Sequence, residues 1–228
     1  MAGLYLSVQA ASAITDRVLV GLSGGKDSVV TLDLCVRHFR HVEAFFMYYV
    51  RGLEFQEVML RHYERRFSIT IHRIPHFMLS EWLRYGTFRL MDFDTPIVSV
   101  KETYDYLREK TGIYWIACGE RIADSIVRRA MIKNSGSIDT PRGRFYPVAE
   151  WRKPDIMAYI KQRNLHLGAE SAKLGFSFRS LMPLDLMKIR EHFPDDFNRI
   201  KAWFPFVEAS IKQYEYAQQG QQVPALRD

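Results

Sequence analysis

Arg17-Val18-Leu19-Val20-Gly21-Leu22-Ser23-Gly24-Gly25-Lys26-Asp27-Ser28 is the stretch whose reading decides the fold. Val18, Leu19, Val20 and Leu22 form a short apolar run that breaks at once into a glycine-rich turn, the pattern of a buried strand. Residues 27–40 then read as a helix, with Val29, Val30, Leu32, Leu34, Val36 and Phe39 as its apolar positions. Arg37, His38 and Arg40 gather at the end where cations suit the helix dipole. A glycine pair at a strand end lets the backbone approach an anion closely, and the helix start that follows presents unpaired N–H groups and a positive dipole end. Lys26 adds a point charge, Ser23 and Ser28 add hydroxyls, and Asp27 either caps the helix or orients Lys26. The loop suits a pyrophosphate. It is not G-x-x-x-x-G-K-[ST], which needs Gly where Val20 stands and Ser or Thr where Asp27 stands, nor is it G-x-G-x-x-G.

Working outward, residues 42–50 read as a second strand, 55–67 as a helix and 68–74 as a third strand. A helix over 100–110 leads to Ile113-Tyr114-Trp115-Ile116-Ala117-Cys118, whose continuous hydrophobicity suits a central strand. The βαβαβ order predicts an α/β fold with a doubly wound, mostly parallel, Rossmann-like sheet. Residues 75–96 lack a clean period and read as an insert near the mouth of the site. From residue 154 the pattern turns helical, with helices expected at 183–192 and 195–218 and a polar tail over 218–228. The 168–178 loop and Arg179, with Ser171, Lys173 and Ser177, read either as a polar surface loop or as a flap. The organisation expected is a nucleotide-binding domain over 1–165 and a helical extension over 166–228.

With 228 residues, 47% of them hydrophobic, the chain can bury a sizeable core. A net charge of +6 favours anionic ligands. The basic residues are scattered, so a nucleic-acid surface is only a secondary reading. No apolar run approaches the roughly 18–20 residues needed to span a bilayer, and the start lacks a signal-peptide pattern, so a cytoplasmic location and no membrane association are expected. The two cysteines, Cys35 and Cys118, lack CxxC spacing, which argues against an iron–sulfur cluster. The seven histidines show no metal-ligand spacing, so no metal site is predicted from side chains alone.

Ser23-Gly24-Gly25-Lys26-Asp27-Ser28 resembles the SGGKDS signature of PP-loop ATP pyrophosphatases and phosphoadenosine phosphosulfate (PAPS) reductases. Gly119-Glu120-Arg121, followed by Asp124, Ser125, Arg128 and Arg129, resembles the G-x-R-x-x-[ED]-S-x-x-R element of the reductase family. Pro147-Val148-Ala149-Glu150-Trp151, followed by Asp155-Ile156 and Tyr159-Ile160, resembles its P-[LI]-x-x-W-x-x-x-D-[IV]-W-x-Y-[IL] element, with Met157 in place of the second Trp. Order and spacing agree over roughly residues 15–165. The resemblance implies the adenine nucleotide alpha hydrolase-like fold.

It also implies an adenine nucleotide ligand, ATP or PAPS, with Mg²⁺ bridging phosphate oxygens. Lys26 and Arg121 are the expected catalytic charges. Ser23, Gly24, Gly25, Lys26, Asp27, Ser28, Tyr48, Gly119, Arg121, Ser125 and Arg128 are the expected nucleotide contacts. At four- and three-residue offsets, Arg121, Ser125 and Arg128 would share one face of a helix after Cys118, with guanidinium forks suited to phosphate. Glu120 and Asp124 would lie one turn apart on the same helix, as surface ion-pair partners. Backbone around Tyr48 and Tyr49 is where family members hold adenine or ribose, and Glu57 matches an acidic position that shapes the pocket or else is a surface carboxylate. Trp151 and Tyr159 read as packing residues, Asp155 as a helix-start residue. Cys118 is either an inert core thiol or a reactive one whose pKa Arg121 lowers.

Sulfate-reducing members carry a nucleophilic cysteine in a late segment like E-C-G-[LI]-H, and no cysteine follows Cys118 in these 228 residues. Thiol chemistry admits no other residue type as the attacking group. The expectation is therefore an enzyme that splits the α–β phosphate bond of ATP and adenylates an unknown acceptor. The alternatives are a PAPS-binding homologue acting with a partner thiol and a non-catalytic nucleotide-binding or nucleic-acid-associated module.

Overall fold

The computed structural model describes residues 5–168, 173–174, 178 and 180–221. Strand β1 (Arg17–Gly21) lies centrally and pairs in parallel with β2 (His41–Tyr48) on one side and with β4 (Ile116–Ala117) on the other. Strand β3 (Ile71–Pro75) lies beyond β2; beyond β4 come β6 (Arg144–Phe145), parallel, and β5 (Ile138–Asp139), antiparallel. The order β3-β2-β1-β4-β6-β5 is that of a doubly wound, mostly parallel Rossmann-like sheet. The chain first winds outward from β1 to β3 and then crosses back to β4. The switch point therefore falls between β1 and β4, and the carboxyl ends of these two strands frame a crevice.

Side chains alternate across β1. Val18, Val20 and Leu22 face a core shared with α1 (Leu6–Ile14), α2 (Lys26–His38), α3 (Glu54–Phe67) and α7 (Lys153–Arg163). Leu19 faces the other core, with Phe45, Ile116, Cys118, Leu107 of α5 (Val100–Thr111) and Ile132 of α6 (Ile126–Ser135). Both faces are covered, which is why the run reads as continuously apolar. A third core joins Tyr49, Val50, Leu53 and Phe55 with α4 (Phe77–Tyr85), α8 (Pro183–His192), α9 (Pro194–Trp203) and α10 (Val207–Gln221). No helix among the described residues is long and apolar enough to cross a membrane.

Several expected boundaries move for identifiable reasons. The third strand starts at Ile71 and not at Ser68, because Ser68 closes α3 in the left-handed region at φ 52°. The expected strand 113–118 keeps only Ile116–Ala117 in the ladder, flanked by single bonds from Leu19 N to the Trp115 carbonyl (2.9 Å) and from Cys118 N to the Phe145 carbonyl (3.0 Å). The insert holds a helix, α4, whose start is capped by the His76 ring accepting from Met78 N at 3.2 Å. The single helix expected over 195–218 is two, α9 and α10, broken at Phe204-Pro205, where proline lacks the N–H a helix would need. Residues 218–221, read as tail, continue α10. Of the 168–178 reading, Ser171 and Ser177 lie outside the described residues, as does the neighbouring Arg179. Lys173 is described, its ammonium 5.1 Å from the Phe193 ring centre.

Candidate nucleotide site

The loop leaves β1 at Leu22, whose N–H still bonds the Phe45 carbonyl at 2.9 Å. Gly24 then takes φ +79°, a conformation that side chains resist, and the chain turns into α2. Ser28 ties the turn together: its hydroxyl donates to the Gly25 carbonyl (2.8 Å) and accepts from Ser23 N (3.1 Å), with the Ser23 hydroxyl 3.2 Å away. Gly25 caps α2 without a side-chain bond, and the first helical rung runs from Val29 N to the Gly25 carbonyl at 3.0 Å. The amides of Lys26, Asp27 and Ser28 therefore precede the ladder, the arrangement that receives an anion at a helix start.

Across the crevice stands the segment after β4. A Cβ on Gly119 would meet Ser28 N at 3.0 Å, its Cα at 3.1 Å and the Asp27 carbonyl carbon at 3.2 Å, so only glycine lets the two backbones approach this closely. Arg121 reaches over the junction. Its Nε is 3.0 Å from Asp27 Oδ1, an ion contact whose angle falls short of a hydrogen bond, and its Nη2 donates to Asp124 Oδ1 at 2.8 Å. Lys26 Nζ bonds the other Asp27 oxygen at 2.7 Å. Arg128 joins through Asp124 at 3.3 Å, and Arg121 Nη1 lies 3.5 Å from the Trp151 carbonyl. Lys26, Asp27, Arg121, Asp124 and Arg128 thus form one alternating charge network. Arg121 is buried in it, whereas half of the Arg128 side chain is exposed.

The network differs from the helical face read from spacing. Helix α6 starts at Ile126. Ser125 is its cap, accepting from Arg128 N at 3.1 Å, so the hydroxyl is occupied by helix capping. Arg121 and Asp124 sit in the preceding turn, closed by Asp124 N to the Arg121 carbonyl (3.1 Å) and by Arg121 N to Asp124 Oδ2 (2.9 Å). Asp and Ser side chains compete for backbone donors and end helices at such points, which is why the spacing misled. Asp124, expected on a helix one turn from Glu120, is instead the hub that holds both arginines. An Asp-Ser pair before a helical run was the signal available for that cap.

Other expected residues take separate places. Tyr48 ends β2 with its carbonyl bonded to His76 N at 2.9 Å and its side chain against the α2–α7 core. Tyr49 stacks between His76 and Trp82, each 4.5 Å away by ring centres. Glu57 pairs with Arg73 of β3 at 3.1 Å, and no hydrogen bond or ion pair joins it to the loop. Trp151 and Tyr159 are buried, the latter donating to Asp33 at 2.7 Å, while Asp155 accepts from Arg152 N at the start of α7. Cys118 is buried behind the crevice. Burial pushes its thiol pKa well up, the Glu120 carboxylate adds to this, and neither Arg144 nor a hydrogen bond with Tyr104 offsets it. Of the two readings of Cys118 this agrees with the inert core thiol; the alternative, a thiol lowered by Arg121, is not met, and that guanidinium is directed at Asp27 and Asp124.

Among the described residues no three His, Cys, Asp or Glu side chains come together to hold a metal ion. One carboxylate oxygen at the loop, Asp27 Oδ1, is buried without a hydrogen bond. That oxygen faces the Arg121 guanidinium and the other Asp27 oxygen holds Lys26, so an Mg²⁺ ion here would be held mainly by a nucleotide's own phosphates.

No curated protein matches the sequence. Among solved structures, the chain is similar to phosphoadenylyl-sulfate (PAPS) reductase from Candida auris in its phosphate complex, at 14% identity, covering 78% of this chain and 87% of that one with a TM-score of 0.52. It is also similar to the NH3-dependent NAD synthetase from Campylobacter jejuni subsp. jejuni NCTC 11168 in complex with the nitrate ion. There the identity is 16%, the coverage 100% of this chain and 96% of that one, and the TM-score 0.50. At such identities the likeness is one of fold. The family model of the phosphoadenosine phosphosulfate reductase domain matches residues 17–169, from β1 past α7 and through loop, Arg121 turn and Trp151 segment alike, and the chain belongs to that family.

Proposed function

We propose that this chain binds ATP at the Ser23–Ser28 loop and cleaves its α–β phosphate bond, transferring the adenylyl group to an acceptor. The observation that carries the reading is the uncapped start of α2, with three amides, Lys26 and Arg121 converging on one crevice at the switch point. In this reading the acceptor nucleophile bonds to the α-phosphorus, the bond to the bridging oxygen breaks, and pyrophosphate leaves. The loop amides and Lys26 hold the β- and γ-phosphates, Lys26 exchanging its Asp27 oxygen for phosphate oxygens. Asp27 and Asp124 hold the Arg121 guanidinium beside the loop, so positive charge is in place before charge develops on the leaving group. Asp27, through the oxygen that Lys26 gives up, would help hold an Mg²⁺ ion carried by the nucleotide, whose chemistry there would be to neutralise phosphate charge. Nucleotide binding is assigned to 1–165; choice of acceptor falls to the insert and the C-terminal helices.

Family membership also favours a second reading, in which PAPS is the ligand and the thiol comes from a partner. The chain's own thiols do not suit it: Cys35 and Cys118 are both buried with pKa values raised by burial. Calorimetric titration with ATP and with PAPS in the presence of Mg²⁺, with Lys26→Ala and Arg121→Ala as controls, separates the two. Tight ATP binding lost in both variants, together with pyrophosphate release once an acceptor is supplied, is the expected result. Preference for PAPS selects the second reading, and binding of neither overturns the site.

A further inference from the structure

A cleft of about 290 Å³ opens at the end of α2 remote from the loop, lined by Tyr5, Gln9, Arg37, His38, Tyr159, Gln162 and Arg163. It lies between α1, α2 and α7, at the amino ends of the strands. Three nitrogenous bases and two amides line it, and among the described residues no carboxylate does. The one acid nearby, Asp33, is fully buried behind the cleft, where its Oδ2 accepts from Tyr159 at 2.7 Å and from Arg163 Nε at 3.2 Å. That buried carboxylate fixes the Arg163 fork through Nε and leaves its two Nη groups for another partner. Arg37, His38, Gln9 and Gln162 make no side-chain hydrogen bond or ion pair with the described residues. Tyr5 closes one wall, its ring 6.5 Å from His38 and packed edge-on against Trp151 at 5.8 Å.

We propose that this cleft is a second anion site, taking a small phosphate-class dianion with its head on Arg37 and Arg163. Guanidinium forks match phosphate oxygens in pairs, and Arg37 and Arg163, which only donate, complement a group that only accepts. The carbonyl end of α2 opposes an anion with roughly half an elementary charge. Arg163 is balanced by Asp33, so the net charge at the cleft is that of Arg37, one full positive charge against that half-charge, with the free Arg163 Nη donors beside it. The volume is several times that of a water molecule's share of about 30 Å³. It leaves room for a polyol body on the Tyr5 ring, with Gln9 and Gln162 placed to bond hydroxyls. The assignment does not depend on what occupies the loop.

The test uses the full chain carrying Lys26→Ala, which weakens phosphate binding at the loop, titrated with inorganic phosphate, glucose 6-phosphate and glucose. Binding is expected for one or both phosphates and not for glucose. Tighter binding of the ester identifies a sugar phosphate as the ligand class, and equal binding identifies free phosphate. Adding Arg37→Ala, an exposed residue without a hydrogen-bond or ion-pair partner among the described residues, is expected to weaken binding on the order of tenfold to a hundredfold. The His38 ring resonances, followed by NMR, are expected to move on titration only while Arg37 is present. Absence of binding, binding unchanged by Arg37→Ala, or a His38 signal that does not respond would each overturn the proposal.

Discussion

Asp27 and Arg121 meet across the switch point, Oδ1 to Nε at 3.0 Å, and join the loop after β1 to the turn after β4. The same guanidinium is held by Asp124 at 2.8 Å, so one buried cation is shared between two carboxylates from different segments. Arg121→Ala leaves both carboxylates facing each other, each about one-sixth exposed. A stability loss of about 1–2 kcal/mol is expected, discounted for that exposure from the cost of breaking a fully buried pair. Arg121→Lys recovers little, because an ammonium cannot span both acids as a fork does. Urea unfolding and ATP titration of the two variants check this, and a lysine variant binding like the parent would refute it.

Gly119 offers a test of the crevice that touches no charge. An added methyl would press on the Ser28 and Asp27 backbone at 3.0–3.2 Å, and backbone at a helix start cannot rotate away as a side chain would. Gly119→Ala is expected to cost about 1–3 kcal/mol, as overpacking does, and to weaken nucleotide binding by displacing the loop. A denaturation midpoint and an affinity both equal to those of the parent would show that the approach is looser than the structure has it.

How much of this was legible in the sequence follows from the range of the interactions involved. The loop, β1 and α2 were readable because glycine pairs, apolar runs and terminal cations act within a few residues. The parallel, doubly wound character of the sheet followed from the βαβ alternation, whereas β5 and β6, two residues each, carried no readable pattern. The Arg121 turn was misread because Asp124 and Ser125 satisfy backbone donors locally, which a four-residue spacing does not reveal. The role of Asp124 as a shared acceptor needs Arg121 and Arg128 folded back on it, and the Asp27 contact needs the whole sheet. Asp33 gave no signal at all: its partners Tyr159 and Arg163 come from α7, and only tertiary packing brings them to the middle of α2.

Cys118 stands beside the crevice in sequence but not in chemistry. Its thiol is buried and held in the neutral form by burial and the nearby Glu120 carboxylate. Cys35 is buried in the opposite core. Neither thiol is expected to react with a charged disulfide reagent in the folded protein over minutes, and both should titrate once denaturant is added. Rapid labelling of Cys118 in the native state would contradict this and return thiol chemistry to the site.

His76 sets the pH response of the region after β3. Burial lowers its pKa from 6.5 to about 4. Its neutral ring also accepts from Met78 N at 3.2 Å to start α4, and Nε2 lies 3.4 Å from the Tyr49 hydroxyl. Between these two pKa values the unfolded chain carries the proton and the folded one does not. Stability from this group is therefore complete above about pH 6.5 and is lost as pH falls toward 4. The loss expected at the acid end of that window is about 1–2 kcal/mol, since one pKa unit corresponds to about 1.4 kcal/mol and the ring keeps partial contact with solvent. Glu43 and Glu64 act lower: burial raises each pKa, but hydrogen bonds from His72 and His41, and from Arg73, outweigh it, so their contribution fades below the ordinary carboxylate value of 4.5. The interval from about pH 6.5 to 4.5 thus isolates histidine. His76→Asn retains a side chain able to cap α4 and removes the titration. Urea midpoints measured at pH 7 and pH 4.5 should fall less in the variant than in the parent. An equal fall in both would place the titrating group elsewhere, with His38 and His62, whose pKa values are also lowered by burial, as the next to replace.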